Sequence, residues 1–274
     1  MKANLHIHSN YSDGTKSIKD INDLAIKNNV DVISITDHDT LDSINDIDDL
    51  KTSVRFIYGI EMSAKYKNEV IHILGYFNNK PDKSLVDYFS KLSIKNYERI
   101  RLIINNLKKY YNIEILYENV RARADGIINS SHIAMEICDK YNIEFQEVYD
   151  NYLGYDKKAY VKNDCINLED AICLLKENKA VIVLAHPKLI KTFDFKEILN
   201  LGFDGIEVYH PEHNEEYVKM LIGVANNNNL IVTGGSDYHG DILNYNFDEK
   251  LILDEDIEKF LNVLEKKVIK NVRK

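Results

Sequence analysis

The sequence has no apolar run approaching the length that spans a bilayer, no internal repeat, and no low-complexity tract beyond the asparagines at 226–229. That excludes a transmembrane helix and a repeat array. Cysteine is scarce. Cys138, Cys165 and Cys173 are an odd number with no CxxC spacing, so neither a disulfide framework nor a CxxC metal site is expected. They are expected instead as reduced, mostly buried thiols of a cytoplasmic protein. The opening "MKANLHIHSN" lacks an apolar h-region, so no secretory signal is expected. An excess of base is also missing: 44 acids stand against 35 bases, a net charge of −9. This argues against stable binding to duplex nucleic acid. A small phosphorylated substrate stays open, because bound cations do not enter the formal charge and can reverse a local field. What is present is 274 residues, 45% of them hydrophobic. That suffices for one large α/β domain, or one domain with an insertion.

Short β-branched runs alternate with helical patterns. "NLHIH", "DVISIT", "VRFIYGIEMSA", "EVIHILGYF", "AVIVLAHP", "DGIEVYH" and "LIVTGG" read as strands, the third and fourth joined by the polar "KYKN" as a hairpin-like pair. "SIKDINDLAIKNN" reads as a helix, with Ser17 at its N-cap and Asp20 three residues on. "FKEILNLG", "NEEYVKMLIGVANNNN" and "DEDIEKFLNVLEKKVIK" read as further helices. Such alternation implies a mainly parallel sheet wrapped by helices. From about Asp82 to Tyr110 the rhythm is broken by a long helical pattern, followed by the shorter ones "SSHIAMEICDKY" and "FQEVYDNYL". This helix-rich segment, roughly 80–160, interrupts the strand–helix rhythm and looks like an insertion.

The polar residues fall at the strand ends. His6 and His8 are two apart, so both side chains leave one face of the first strand. His38 follows the second strand and Glu61 the run "FIYGI". His72 sits in "VIHILGY", His186 ends "VIVLAH", and Asp237 and His239 follow "LIVTGG". Asp13 lies in the loop after the first strand, where it also suits the turn Asp13–Gly14. In α/β barrels the C-terminal strand ends form one face, so these residues converge although they are scattered in sequence. A solvent-poor mouth full of carboxylates requires cations. Imidazole and carboxylate donors without thiolate suit Mn, Fe or Zn.

The stretches "NLHIHSNYSDGT", "ISITDHDT", "GIEMSA", "IHILGY", "VLAHP", "GIEVYHPEH" and "GGSDYHG" occur in the order found in the PHP (polymerase and histidinol phosphatase) phosphoesterases. The sequence resembles that family, and within it most closely the 3′,5′-nucleoside bisphosphate phosphatase and 5′–3′ exoribonuclease branch. The resemblance implies a distorted (β/α)7 barrel formed by residues 1–77 and 163–274, with a helical insertion over 78–162 that caps it. It implies two or three divalent ions, Mn foremost. One would be held by His6, His8, Glu61 and Asp237. A second would share Glu61 and add His72 and His186. A third would use Asp13, His38 and His239. A bridging hydroxide would attack the 3′-phosphate of a nucleoside bisphosphate, or the end of a short oligoribonucleotide. The branch usually carries an arginine just before the histidine of the insertion helix. Here Ser130 stands at that position and His132 remains. Arg121, Arg123, Lys157 or Lys158 would replace it as the phosphate contact, and solvated surface charge is an equal reading of each.

An imidazole that titrates near neutrality suits proton transfer to the leaving group, which makes His213 the candidate general acid or phosphate contact. His210, at a strand end, is a weaker candidate for substrate contact, or packing. Asp37 and Asp39 flank His38 and would orient it or cap the following helix. Two other readings stand beside this one. The first is a histidinol-phosphate or other small-molecule phosphatase. The second is a metal-stabilised binding or regulatory module without turnover.

Overall fold

Nine strands form one sheet: β1 (Lys2–Ile7), β2 (Val32–Ile35), β3 (Arg55–Tyr66), β4 (Glu69–Phe77), β5 (Ile166–Asn167), β6 (Val181–Leu184), β7 (Gly205–Tyr209), β8 (Ile231–Gly234) and β9 (Ile252–Leu253). The structure is a computed structural model and describes residues 1–269, except the side chains at 93, 94, 268 and 269. The strands lie in the order β8-β7-β6-β4-β3-β2-β1-β9, with β5 added to β3. β2 (VISI) and β6 (VIVL) are buried at every residue, as parallel strands covered on both faces must be. β1, β2 and β3 run parallel, as do β6, β7 and β8. β4 runs antiparallel to both its neighbours, β3 and β6. The expected hairpin therefore reverses one strand of an otherwise parallel ring.

The sheet curls until its ends meet. Ile7 bridges Tyr238 in parallel, and the His8 N–H donates to the Tyr238 carbonyl at 2.9 Å. At the other end of β1, Lys2 and Ala3 pair with β9. Gly235 lies against this seam, where a Cβ would sit 2.4 Å from the His6 nitrogen. The result is the distorted β/α barrel that the resemblance implied, with seven strands in the ring and β4 as the distortion.

Helices cover the outside. α1 (Ile18–Lys27) starts as expected: Ser17 Oγ accepts from the Asp20 N–H, and the Asp20 carboxylate accepts from the Ser17 N–H. Its Ile18, Ile21 and Ala25 enter the core. α2 (Ile44–Asp49) follows β2. Between β4 and β5 lie α3 (Lys83–Tyr111), α4 (Tyr117–Arg121), α5 (Ser130–Tyr141) and α6 (Phe145–Val148), the last continuing into a π-helical turn, Tyr149–Leu153. α7 (Leu168–Glu177), α8 (Glu215–Asn227) and α9 (Asp254–Ile269) return to the barrel. The expected helix in "FKEILNLG" forms as a tighter 3₁₀ stretch, Phe195–Leu201, ended by Gly202 at φ 119°.

α3 serves two cores. Its Leu85 and Phe89 pack with barrel residues such as Ile60, Ile73 and Leu175. Its Ile100, Ile103 and Leu107 pack with Ile133, Ile137 and Val148 of α5 and α6. At 1.5 Å per residue it is about 43 Å long, enough to reach both. The three cysteines are free thiols, but the expectation that they are mostly buried fails: Cys138 and Cys165 are half-buried and Cys173 is exposed. Cys173 sits on the outward side of α7, whose inner side is filled by Ala171, Ile172 and Leu175. Among the described residues, no helix is long and apolar enough to cross a membrane.

Candidate metal centre

The centre forms around Glu61, a buried carboxylate in the middle of β3. Its Oε2 lies 3.1 Å from His6 Nε2, 3.1 Å from His8 Nε2 and 3.2 Å from His38 Nδ1. Its Oε1 lies 2.9 Å from His72 Nδ1 and 2.7 Å from His186 Nε2. Each contact follows from strand geometry. The period of two brings His6 and His8 inward from the end of β1 while Ile7 packs outward against helix α1. His72 lies directly across the hairpin, paired with Ser63. His186 and Asp237 follow β6 and β8, each with a left-handed backbone, φ 24° and 48°. Non-glycine residues in that region cost free energy and cluster where side chains must be aimed.

Asp237 Oδ1 lies 3.1 Å from His8 Nε2 and 3.3 Å from His6 Nε2. Asp13 Oδ1 lies 3.4 Å from His239 Nε2 and 3.6 Å from His8 Nδ1. All nine expected ligand residues therefore share one mouth. Among the described residues, three sets have donor atoms within 4.8 Å of one another: His6, His8, Glu61 and Asp237; His8, Asp13, His38 and His239; and His38, Glu61 and His72. The first is the set expected from sequence. The second gains His8 as a member. The third contains His38, with His186 reaching Glu61 from the other side.

The donor set fits cations better than hydrogen bonds alone. A carboxylate has about four acceptor sites, yet five ring nitrogens converge on Glu61. His6 donates Nδ1–H to Glu207 Oε1 at 2.9 Å, so in the neutral ring Nε2 is a lone pair aimed at Glu61. His239 donates Nδ1–H to the Asp237 carbonyl at 2.7 Å, which likewise leaves Nε2 aimed at Asp13. His8 Nε2 is buried and has two carboxylate oxygens at 3.1 Å, but is aligned for a hydrogen bond with neither. A lone pair facing a carboxylate is repulsive unless a positive charge lies between them, a proton or a metal ion; despite burial, the acids raise His6 well above the usual imidazole value and His8 to about 10, which measures the site's demand for positive charge. Burial pushes the Glu61 and Asp237 carboxyls up. The surrounding histidines (His38 and His6 for Glu61, His6 and His239 for Asp237) more than reverse this and hold both well below the ordinary range. Burial, with the neighbouring His8 and His72, outweighs the pull of Glu61 and Asp13 and drives His38 down to about 3, so it is a neutral donor at neutral pH.

Behind the donors stand Glu207, which the sequence analysis did not single out, and Asp37, Asp39 and His210, which it did. Glu207, wholly buried in β7, holds His6 through Oε1 and accepts the His186 N–H through Oε2 at 2.8 Å. A charged residue inside a strand buried along most of its length was the available signal. Asp37 accepts from the Ser9 N–H, Ser9 Oγ and Ser12 Oγ and thereby shapes the loop that carries Asp13. Asp39 accepts from the Ser63 N–H rather than from His38. His210 accepts at Nδ1 from the Glu212 N–H and donates Nε2–H to Asp237 at 3.2 Å, which orients that carboxylate.

A cavity of about 360 Å³ opens between this centre and the helical segment, lined by Asp13, His38 and His72 on one side and by Ser130, Ser131 and Tyr149 on the other. The helical segment touches the centre directly: Ser131 Oγ donates to Asp13 Oδ2 at 2.9 Å. The loop before α5 is stitched to the loop after β1, with the Ile127 N–H on the Tyr11 carbonyl at 3.0 Å and a Gly126 Cβ position only 2.1 Å from that oxygen.

The expected phosphate contacts are absent from this cavity lining. Arg123 is spent on Glu136 and Asp139, both at 2.7 Å. Arg121 donates to the Ala124 carbonyl. Lys157 pairs with Asp156 at 3.0 Å, and Lys158 is exposed. His132 is buried as the third residue of α5 and accepts the Asn129 N–H at Nδ1, which makes it part of the helix start. His213 is wholly buried and donates Nδ1–H to the Val208 carbonyl at 2.9 Å. Burial pushes its pKa down to about 4. At neutral pH its Nε2 carries no proton to give, which removes the reason for naming it the general acid. The cations that do line the cavity are Lys95, Arg99 and Lys162. Lys95 and Arg99 share one face of α3 with Leu92 and Asn96, at helical spacing.

Residues 4–182 match the PHP domain family. The chain belongs to the PHP domain family. Its class is that of the metal-dependent phosphoesterases, and it is a hydrolase. A 5′–3′ exoribonuclease of Haemophilus influenzae is 27% identical over 252 residues, covering 87% of this chain and 90% of its own. A phosphoribosyl 1,2-cyclic phosphate 1,2-diphosphodiesterase of Eggerthella lenta is 25% identical, covering 88% and 95%. A 3′,5′-nucleoside bisphosphate phosphatase of Chromobacterium violaceum is 24% identical, covering 86% of each. Among solved structures, an amidohydrolase from Chromobacterium violaceum with bound sulfate and no metal superposes with a TM-score of 0.84 at 22% identity, covering 97% of each chain. That likeness establishes the fold. The PHP centre of this chain binds divalent metal through its histidine and carboxylate cluster.

Proposed function

We propose that this PHP chain hydrolyses the 3′-phosphate of a nucleoside 3′,5′-bisphosphate or the terminal phosphoester of a short oligoribonucleotide. The observation that carries the reading is the convergence of five imidazole nitrogens on the two oxygens of buried Glu61. The names of the Haemophilus and Chromobacterium relatives support the substrate class. His6, His8, Glu61 and Asp237 would hold one ion, with manganese the first candidate and iron or zinc next. Glu61 with His72 and His186 would hold a second, and Asp13, His38 and His239 a third. Bound divalent ions supply Lewis acidity toward phosphoryl oxygens and make water a stronger nucleophile near neutral pH.

The protein's own groups prepare that chemistry. Glu207 fixes the His6 tautomer so that Nε2 faces the centre. His210 turns Asp237. Ser131 holds Asp13 from the helical segment. Residues 78–162 act as a cap over the barrel unit formed by 1–77 and 163–274. With the cap stitched down at Tyr11–Ile127, the cavity accommodates a nucleotide and excludes a folded nucleic acid.

The test is metal analysis of the purified protein together with phosphate release from a nucleoside 3′,5′-bisphosphate, short RNA, histidinol phosphate and phosphoribosyl 1,2-cyclic phosphate. The reading expects bound divalent metal and fastest turnover of one of the first two. Preference for histidinol phosphate, or turnover that survives complete chelation, contradicts it.

A further inference from the structure

The ligand positions differ in what holds them. Among the described residues, His6, His8, Glu61 and Asp237 make no hydrogen bond or ion pair with the helical segment. They lie on or just after β1, β3 and β8, where closure of the ring alone places them. Asp13 is different, because its loop, residues 9–15, is where the helical segment docks. The Ile127 N–H donates to the Tyr11 carbonyl at 3.0 Å and the Asp125 N–H to the Asn10 carbonyl at 3.2 Å. The Asn10 side-chain amide donates to Asp125 Oδ2 at 2.6 Å. Ser131 Oγ, at the start of α5, donates to Asp13 Oδ2 at 2.9 Å. Ser131 is itself held from a second element. The hydroxyl of Tyr149, which opens the π-helical turn, lies 3.3 Å from both Ser130 Oγ and Ser131 Oγ.

The far end of the same loop reaches His239: the Thr15 N–H donates to the His239 carbonyl at 3.1 Å. One loop therefore ties the helical segment to two residues of the third ion position. The Asp13 carboxylate is divided between these roles. Ser131 takes Oδ2. Oδ1 is buried and accepts no hydrogen bond, with His239 Nε2 at 3.4 Å and His8 Nδ1 at 3.6 Å. In the neutral His239 ring that Nε2 carries no proton, because Nδ1–H is given to the Asp237 carbonyl. A buried carboxylate oxygen without a partner is costly, and a cation between Oδ1 and the ring nitrogens satisfies all of them. A carboxylate already held by one oxygen gives up little freedom when the other binds, which is how a supporting hydrogen bond raises affinity.

We infer that docking of the helical segment and filling of the Asp13–His38–His239 position are linked, with Ser131 as the positioning residue between them. The inference rests on the third ion position given under Proposed function. With the segment docked, Ser131 holds Oδ2 and Oδ1 faces the ion. With the segment lifted, Asp13 loses that tether and its loop loses the backbone bonds to Asp125 and Ile127. The linkage is reciprocal: whatever docking adds to the affinity of this ion, the ion adds to docking. The position of His6, His8, Glu61 and Asp237 has no such contact, so it fills whether or not the segment is down. The cavity is thus covered most firmly once the last ion is in place.

The test titrates manganese by calorimetry into the chelator-treated full chain, its Ser131→Ala variant and its His239→Ala variant. Amide hydrogen exchange of residues 9–15 and 125–131 is followed alongside. The wild type is expected to bind three ions, with exchange at the Asp125 and Ile127 amides slowing as the third is bound. In Ser131→Ala one ion is expected to bind about tenfold to a hundredfold more weakly, the other two as before, and the slowing to shrink with it. A purely structural role for Ser131 would lower Tm and leave the ion affinities alone. His239→Ala removes a ligand but keeps the docking contacts, which use the backbone of residue 239 alone. There the slowing is expected to vanish, and this variant reports even if Ser131→Ala folds poorly. Two ions or fewer in the wild type refutes the third position, and the inference with it. Three ions of unchanged affinity in Ser131→Ala, an equal weakening of all three, or slowing that persists in His239→Ala overturns the inference while the third position stands.

Discussion

Glu61 has two oxygens and five imidazole neighbours, and their separation between Oε1 and Oε2 gives it the geometry of a bridge. Glu61→Gln keeps the shape and removes the charge. It is expected to lower bound metal by at least one ion per chain and turnover by more than ~100-fold, read by elemental analysis and phosphate release. Glu207→Gln tests the support behind His6. The amide keeps an oxygen, but a neutral one, and metal affinity is expected to fall by about 10- to 100-fold, read by competition against a chelator dye. At this scale the convergence of the nine residues expected as ligands was legible, because histidine and acid at strand ends have few other uses. Glu207 was not, because in sequence it is one more residue of a buried strand. Arg123 misled for a physical reason: its partners, Glu136 and Asp139, lie across a helix packing that a linear sequence does not display, while Arg121 turns back onto the Ala124 carbonyl three residues on. His213 misled because the usual pKa of imidazole holds in water, and burial lowers it here to about 4 despite the bond to the Val208 carbonyl.

Among the elements, helix starts and strand periods were readable because local chemistry sets them. Ser17 and Asp20 close their reciprocal bonds at the start of α1 as the sequence indicated. Ser17→Ala is expected to cost about 1 kcal/mol of stability, measured by urea unfolding, with metal content unchanged because the cap lies on an exposed helix end. The loops between elements carry more of the site than their sequence suggests. Asn10, Tyr11, Asp125 and Ile127 stitch two distant loops through backbone bonds, and backbone pairing leaves no side-chain signature. Gly126 is the exception, since any side chain there meets the Tyr11 carbonyl. Gly126→Ala is expected to push the helical segment off the Asp13 loop, costing about 1–3 kcal/mol and raising KM. A variant with wild-type stability and KM would show that the close approach does not hold the cap. The strands β5 and β9, two residues each, are too short for any period to reveal.

For the whole molecule, alternation of strand and helix implied a mainly parallel sheet, the polar KYKN between β3 and β4 implied the one reversal, and the barrel itself was implied only by the family resemblance. The closure of the ring, through Ile7 and Tyr238, is what brings β1 against the end of β8 and so His6 and His8 against Asp237. A chain of net charge −9 that gathers carboxylates at one mouth is expected to be stabilised by the cations it binds there. Ions at a hundredfold over their dissociation constant add about 2.7 kcal/mol. Chelation is therefore expected to lower Tm by several degrees, and manganese to restore it, as read by scanning calorimetry.

The central claim is that His6, His8, Glu61 and Asp237 surround a divalent ion. Anomalous diffraction at the manganese edge, from crystals grown with manganese, tests it directly. The account predicts a peak within coordination distance, about 2.0–2.3 Å, of Glu61 Oε2 and the His6 and His8 Nε2 atoms. Ordered side chains at these positions with no peak between them would contradict it.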